Sequence, residues 1–186
     1  MNMQTLARRF MGAALLLLSM AAYGEEEVTT RIIEFSPGIG YYNFDADRQL
    51  DSKQMESIGL GMYLSRRWAV ILNYSRLDSV KTENGITEDF FMRNYHLDGY
   101  RFFNTESHLR PYVVAGIGGR DLISKDSDWT EHRDLLDAGI GLYYRITPKW
   151  SLRGEARVYS LYSDSQIDNS VSITLGYRLK EGESGD

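Results

Sequence analysis

The sequence predicts an all-β fold: an eight-stranded antiparallel up-and-down transmembrane β-barrel, preceded by a cleaved signal peptide. Three observations predict it. The first is strict alternation across 136–159. Leu136, Ala138, Ile140, Leu142 and Tyr144 alternate with Asp137, Gly139, Gly141, Tyr143 and Arg145. After a Thr147-Pro148-Lys149 break, Trp150, Leu152, Gly154, Ala156 and Val158 alternate with Ser151, Arg153, Glu155, Arg157 and Tyr159. Successive side chains of a strand point to opposite faces, so this is a hairpin with one apolar and one polar face. The second observation is that the connections alternate between long and short over an even number of such segments, the asymmetry of a barrel with two different rims. The third is that the apolar face stays free of charge at nearly every strand centre. The other face mixes ionised residues with glycines, which suits the packed interior of a small barrel.

The N-terminus is read as a targeting segment. Arg8 and Arg9 precede a short apolar run, Phe10 to Met20, and Ala22-Tyr23-Gly24 offers small residues for a signal peptidase before Glu25. The run is too short to cross a bilayer as a helix. Residues 1–24 are therefore assigned as signal peptide, 25–180 as the barrel and 181–186 as a polar tail. The chain has 186 residues, no cysteine and a net charge of −5. An acidic balance argues against nucleic acid as a partner. The absence of cysteine excludes a disulfide scaffold.

In chain order, strand one covers about Arg31 to Tyr42, with Ile33, Phe35, Pro37, Ile39 and Tyr41 on the apolar face. Pro37 removes a ladder hydrogen bond there. Phe44 to Glu56 reads as a long loop. Strand two, Ser57 to Ser65, turns at Arg66-Arg67 into strand three, which begins at Trp68. Leu77 to Glu88 reads as a second long loop. Strand four covers about Phe90 to Phe103, and Asn104 to Leu109 is a short turn. Strand five, Arg110 to Arg120, leads into a third polar loop, Asp121 to Asp134, that holds Trp129. The hairpin described above supplies strands six and seven. Leu161 to Asn169 is a fourth loop, and Ser170 to Lys180 is strand eight.

A repeat lies about 80 residues apart: Gly59-Leu60-Gly61-Met62-Tyr63 leads to Trp68, and Gly139-Ile140-Gly141-Leu142-Tyr143 leads to Trp150. Both tryptophans sit where a strand leaves the short-turn rim. Indole favours the membrane interface, so Trp68, Trp150 and Tyr177 are the expected interface aromatics. Alternation alone leaves open a soluble lipocalin-like barrel with the apolar set inside. The charge-free apolar face and the ionised, glycine-rich opposite face favour lipid outside.

The chain resembles the eight-stranded transmembrane domain of the outer membrane protein A family, including its OprF-type porins. The residues that carry the resemblance are 95–99 (YHLDG), 109–118 (LRPYVVAGIG), 150–157 (WSLRGEAR) and 175–179 (LGYRL). It implies an outer-membrane barrel of a diderm bacterium with a structural, weak-porin or surface-contact role. It also implies outer-membrane lipid, lipopolysaccharide and the barrel-assembly machinery as partners, and a monomer. Larger members continue into a peptidoglycan-binding domain that 25–186 does not contain, so cell-wall anchoring is not carried over. Leu179 stands where many barrels end in an aromatic residue.

Glu34, Asp98, Asp137, Arg145, Arg153, Glu155, Arg157 and Arg178 share the polar face and are expected to form a charged network in the lumen, since buried charges must be paired. Strand eight closing onto strand one brings Arg178 to Glu34. The network either packs the lumen statically or swaps partners to open a narrow water path. His96 and Asp98 lie two apart on the same face, without a serine at matched spacing for a nucleophile. A lipid-modifying enzyme built on His96 or His132 is the alternative from another class. No catalytic residue, cofactor or metal site is assigned: the histidines, with His108 in a turn, lack ligand spacing. Asp45, Asp47, Asp51, Asp126 and Asp128 are read as solvated loop acids that could meet divalent cations.

Overall fold

A computed structural model describes residues 32–45, 52–83, 86–124, 130–161 and 167–180. The signal segment, Asp47, Asp51, Asp126, Asp128, Trp129 and the tail lie outside these residues. Eight strands follow in order: β1 Ile32–Asn43, β2 Lys53–Tyr63, β3 Trp68–Glu83, β4 Ile86–Phe102, β5 Leu109–Ser124, β6 Thr130–Arg145, β7 Trp150–Leu161 and β8 Ile167–Lys180. Each pairs antiparallel with its sequence neighbours, and β8 closes onto β1 to complete the barrel. Closure leaves no open edge among the membrane-level residues, so backbone groups are satisfied without water.

The period-two pattern places the faces as expected. Ile39, Leu60, Leu72, Ile140, Val171 and Ile173 are all more than half exposed, at 60, 55, 55, 66, 59 and 56 %. Glu34, Asp98, Arg153 and Arg157 are buried. A water-soluble protein does not display a continuous belt of aliphatic side chains around its whole girth while it buries its charges. The greasy side faces lipid.

Pro37 sits in β1 on the outward face. The β1–β8 ladder skips Ser36 and Pro37 and resumes at Gly38↔Thr174, whereas the β1–β2 ladder runs through Pro37↔Ile58 unbroken. The missing N–H therefore interrupts one side only.

The loop assignments at the long rim need correction. The stretch 77–88, expected as a loop, is mostly strand: β3 and β4 stay paired from Arg76↔Arg93 up to Glu83↔Ile86. Similarly, 121–134 contributes the pairs Asp121↔His132, Leu122↔Glu131 and Ile123↔Thr130. β2 starts at Lys53 and β8 at Ile167, each earlier than expected. Above the lipid band the polarity inverts, with Leu77, Phe90 and Met92 buried inside and Arg76 and Asp78 exposed outside, so the lipid-level alternation does not carry on and the sequence looks like loop. The short turns lie as expected, at 64–67, 103–108 and 146–149. Asn104, at φ 49°, takes the left-handed conformation that tightens the second of them.

Candidate functional site

Three layers fill the lumen. Near the short-turn rim is an aromatic layer of Tyr63, Ala69, Ile71, Tyr100, Phe102, Tyr112, Val114 and Tyr143. Phe102 is its hub, with ring centroids 5.5 Å from Tyr112, 5.6 Å from Tyr143 and 5.8 Å from Tyr63. Toward the long rim a second apolar layer contains Tyr42, Phe44, Met55, Leu77, Met92, Leu135, Tyr159 and Leu161. Charged groups occupy the space between and around them.

At the centre, one guanidinium holds the carboxylates together. Arg157 Nη1 donates to Asp98 Oδ2 at 2.8 Å and to Asp137 Oδ1 at 2.6 Å. Arg157 Nε donates to Glu155 Oε1 at 2.8 Å, and Nη2 to Tyr100 OH at 3.1 Å. His96 Nδ1 lies 2.8 Å from Asp98 Oδ1 and 3.0 Å from Arg157 Nη1. Asn73 Nδ2 donates to Asp98 Oδ2 at 2.6 Å. His96, Asp98 and Asp137 present ligand atoms within 4.8 Å of one another, a set that could hold a metal ion. Arg157 Nη1 already touches all three, so an organic cation sits where a metal would.

Nearer the short-turn rim, Glu34 is shared between two arginines. Arg178 Nε lies 3.4 Å from Glu34 Oε2 and Arg153 Nη1 lies 3.5 Å from Oε1. Tyr63 OH donates to Glu34 Oε2 at 2.9 Å, and Ser151 Oγ donates to the same oxygen at 3.3 Å. The expected Glu34–Arg178 proximity thus follows from their register, Glu34↔Arg178. Arg145 stands apart from both groups: it is half-buried at the short-turn rim, close to His108, whose carbonyl accepts its backbone N–H at 2.9 Å.

A third group was not foreseen. Arg120 donates to Asp168 and to the Tyr42 hydroxyl, and Arg120 Nε donates to Asn94 Oδ1 at 2.8 Å. Tyr42 OH in turn donates to Asp168 Oδ2 at 3.0 Å. Asp168 fell in an expected loop and Arg120 at a strand end, so neither was read as part of the lumen.

Tyrosines tie the layers together. Their rings fill the aromatic clusters and their hydroxyls complete the ionic groups: Tyr112 OH donates to Glu155 Oε2 at 3.0 Å, and Tyr143 OH accepts from Arg178 Nη2 at 2.7 Å. The signal was available in the sequence, because Tyr42, Tyr63, Tyr100, Tyr112, Tyr143 and Tyr159 all fall on the inward parity. Among the described residues, a polar cavity of about 30 Å³ is lined by Ser57, Asn73, Ser75, Arg153, Ser172 and Thr174 among others. That is room for a few water molecules at most.

The aromatics expected at the interface lie at the short-turn rim. Trp150 packs on Tyr177 with centroids 4.7 Å apart, and the Arg101 guanidinium lies 4.7 Å from the Trp68 ring centroid. Of the remaining histidines, His108 is exposed in a turn. His132 is on the outward face of β6, with Nδ1 2.7 Å from Asp121 Oδ1 and 3.0 Å from Tyr95 OH. Asp45, the one expected loop acid among the described residues, has its carboxylate within 3.1 Å of the Ile167 N–H.

A closed antiparallel barrel with an aliphatic exterior, an aromatic rim and an ionic, tyrosine-sealed interior defines a membrane-spanning barrel of the outer-membrane type. The sequence matches the model of the outer membrane protein beta-barrel domain over residues 10–178, and the chain belongs to that family. No curated protein matches it in sequence. Among solved structures it is similar to Neisserial surface protein A, with a TM-score of 0.60, 15 % identity, and 80 % of this chain and 97 % of that one covered. It is also similar to Ail, the attachment invasion locus protein of Yersinia pestis (TM-score 0.56, 16 % identity, 80 % and 99 % covered). The N-terminal barrel of Pseudomonas aeruginosa OprF aligns with a TM-score of 0.51 at 16 % identity, with 77 % and 97 % covered. These likenesses establish the shared fold, and family membership assigns the chain to the outer membrane.

Proposed function

We propose that this protein is a non-enzymatic structural barrel of the outer membrane, exported by its N-terminal signal, that stabilises the envelope and does not conduct ions in its resting conformation. One observation carries this reading: two apolar layers bracket the ionic layer, and the polar cavity between them holds about 30 Å³. Packed rings near each rim, with buried ion pairs set among them, leave an ion little free path through the lumen. His96 is enclosed by the wall, with its Nδ1 already engaged by Asp98 and Arg157, which speaks against an enzyme built on it. Lipid and lipopolysaccharide are its expected surroundings, the barrel-assembly machinery its route of insertion, and the monomer its expected state.

The test is single-channel recording of refolded wild type beside Arg153→Ala. The expected result is no resolved conductance steps in either, from protein whose gel mobility shifts between unboiled and boiled samples. A second reading, a narrow pore, is favoured by one detail. Arg153 Nη1 and Glu34 Oε1 are buried without a hydrogen bond, 3.5 Å apart, and Arg153 lines the cavity. Steps that appear in wild type and change in Arg153→Ala would establish that reading instead.

A further inference from the structure

The register draws one line of charge across the outside of the barrel. Glu56 on β2 faces Arg76 on β3, Arg76 faces Arg93 on β4, Arg93 faces Asp121 on β5, and Asp121 faces His132 on β6. All five point outward. Directly below lie Tyr74 and Tyr95, then Leu72 and Leu97, where the lipid belt begins. The line is a local feature of this arc. Near the same rim β7, β8 and β1 present Ser160, Asn169 and Asn43 outward, with Asn43 Nδ2 bonded to Asn169 Oδ1 at 3.0 Å.

Its height matches a membrane interface. Arg93 and Arg101 share the outward face of β4, with Tyr95, Leu97 and Gly99 between them. At about 3.3 Å per residue and a tilt of about 40°, they are separated by roughly 20 Å along the membrane normal, close to the thickness of a barrel's lipid band. Arg101, over Trp68, marks the short-turn side. Arg93 marks the other.

Two arginines directly opposite each other on paired strands repel, so the pair calls for an anion. The protein supplies Glu56 and Asp121 on this line, with Asp78 and Asp134 on the same outward face beside it. Arg76 is held by Glu56, at 2.9 Å from Nε and 2.8 Å from Nη2, with both side chains more than half exposed. Arg93 lies over the Phe91 ring, 5.8 Å from its centroid, and is held by Asp121 only at longer range. Its Nη2 lies 3.5 Å from Asp121 Oδ2, Asp121 is shared with His132, and Arg93 Nε is buried without a hydrogen-bond partner. Two guanidinium forks side by side, one of them under-coordinated, fit a tetrahedral dianion with several acceptor oxygens.

We propose that Arg76 and Arg93 form a phosphate-binding site at the outer-leaflet interface that takes the phosphomonoester headgroup of a phosphorylated glycolipid. The site rests on the reading that the long-strand rim is the outer-leaflet side of a membrane barrel. It explains why charge gathers on this arc at headgroup height.

The experiment is native mass spectrometry of the full chain refolded in detergent micelles and titrated with bis-phosphorylated lipid A. Gel mobility of unboiled samples verifies folding of every variant. Wild type and Arg101→Gln, a control at the opposite rim, are expected to retain the lipid equally. Arg76→Gln with Arg93→Gln is expected to lose at least about tenfold in apparent affinity while remaining folded. Fully dephosphorylated lipid A and millimolar inorganic phosphate are expected neither to bind stably nor to displace the phosphorylated lipid, which separates a headgroup site from a free-phosphate site. Retention is expected to survive a chelator, since arginine rather than a carboxylate-bound cation makes the contact. Equal retention by the double variant, equal retention of the dephosphorylated lipid, displacement by inorganic phosphate, or loss in chelator would each overturn the site while leaving the barrel intact. A wild type with no mobility shift would instead strike the membrane-barrel reading beneath it.

Discussion

Arg157 Nη1 lies 2.8 Å from Asp98 Oδ2, and both side chains are almost wholly withdrawn from solvent, at 3 % and 0 % exposure. The same nitrogen reaches Asp137, and Nη2 lies 2.8 Å from Glu155 Oε1. Removing the guanidinium leaves these carboxylates buried together without their cation. Breaking a buried ion pair from one side costs about 3–5 kcal/mol. Arg157→Ala is expected to lose stability in that range, read from urea unfolding of the refolded barrel. Arg157→Ala with Asp98→Asn and Asp137→Asn is expected to recover a substantial part of it, because the uncompensated charge is gone. An Arg157→Ala barrel as stable as wild type would mean that the carboxylates are hydrated rather than held.

Glycines on the two faces give a paired test of packing. A Cβ at Gly116 would fall 1.9 Å from Asp98 Oδ1 and 2.7 Å from Asp137 Oδ2, whereas a Cβ at Gly154, on the outward face, meets nothing within 4 Å. Gly116→Ala is expected to cost about 1–3 kcal/mol through overpacking. Gly154→Ala is expected to change stability by no more than about 0.5 kcal/mol. Comparable unfolding midpoints for the two variants would contradict a filled lumen.

The alternation of Leu136 to Tyr144 against Asp137 to Arg145 exposed the faces because a strand's period is fixed and the lipid side tolerates no charge. The even strand count and the tight turns at 64–67, 103–108 and 146–149 were legible for the same reason. The strand tips were not. Around Asp121↔His132 and Arg76↔Arg93 the outward face is charged while Leu77, Met92 and Leu122 point inward, so the lipid-level polarity inverts and the stretch does not read as a continuation of the strand. Within the site, the sequence identifies who points inward but not who meets whom. Glu34 and Arg178 could be joined because closure of an eight-stranded sheet fixes their register. Arg120 and Asp168 could not, because their contact depends on how long side chains cross the lumen between strands that are not neighbours. The tyrosine layers were legible as parity yet invisible as clusters, since parity carries no depth.

A charge scan of the outer face tests orientation directly. Ile140 is 66 % exposed at mid-strand on β6, and Leu109 is 46 % exposed beside the short-turn rim. In a lipid-facing barrel, lysine at the midplane costs about 2–4 kcal/mol and near an interface about 0–1 kcal/mol. Ile140→Lys is therefore expected to destabilise the barrel in vesicles by several times the effect of Leu109→Lys. In a water-soluble barrel both positions would accept lysine almost without change, so equal and negligible effects would reverse the orientation.

The position of Arg157 also predicts a gain of function. His96, Asp98 and Asp137 offer one nitrogen and two carboxylate oxygens within 4.8 Å of one another, and Arg157 Nη1 sits 3.0, 2.8 and 2.6 Å from them. A tetrahedral zinc ion takes His and carboxylate ligands at about 2.0–2.2 Å, with water as a fourth ligand. The distances here are those of a hydrogen-bonded cation, so modest side-chain rotation after truncation would bring the three groups to metal range. Removing the guanidinium also opens space beside the polar cavity, which His96 and Arg157 both line. In Arg157→Ala, zinc is expected to raise the unfolding midpoint and restore about 2–3 kcal/mol at a hundredfold excess over its dissociation constant. Wild type, with the position filled by Arg157, is expected not to respond, and adding His96→Ala to the variant is expected to abolish the rescue. A zinc response in wild type, or one that survives His96→Ala, would place the metal elsewhere and remove the claim that this guanidinium stands in for an ion.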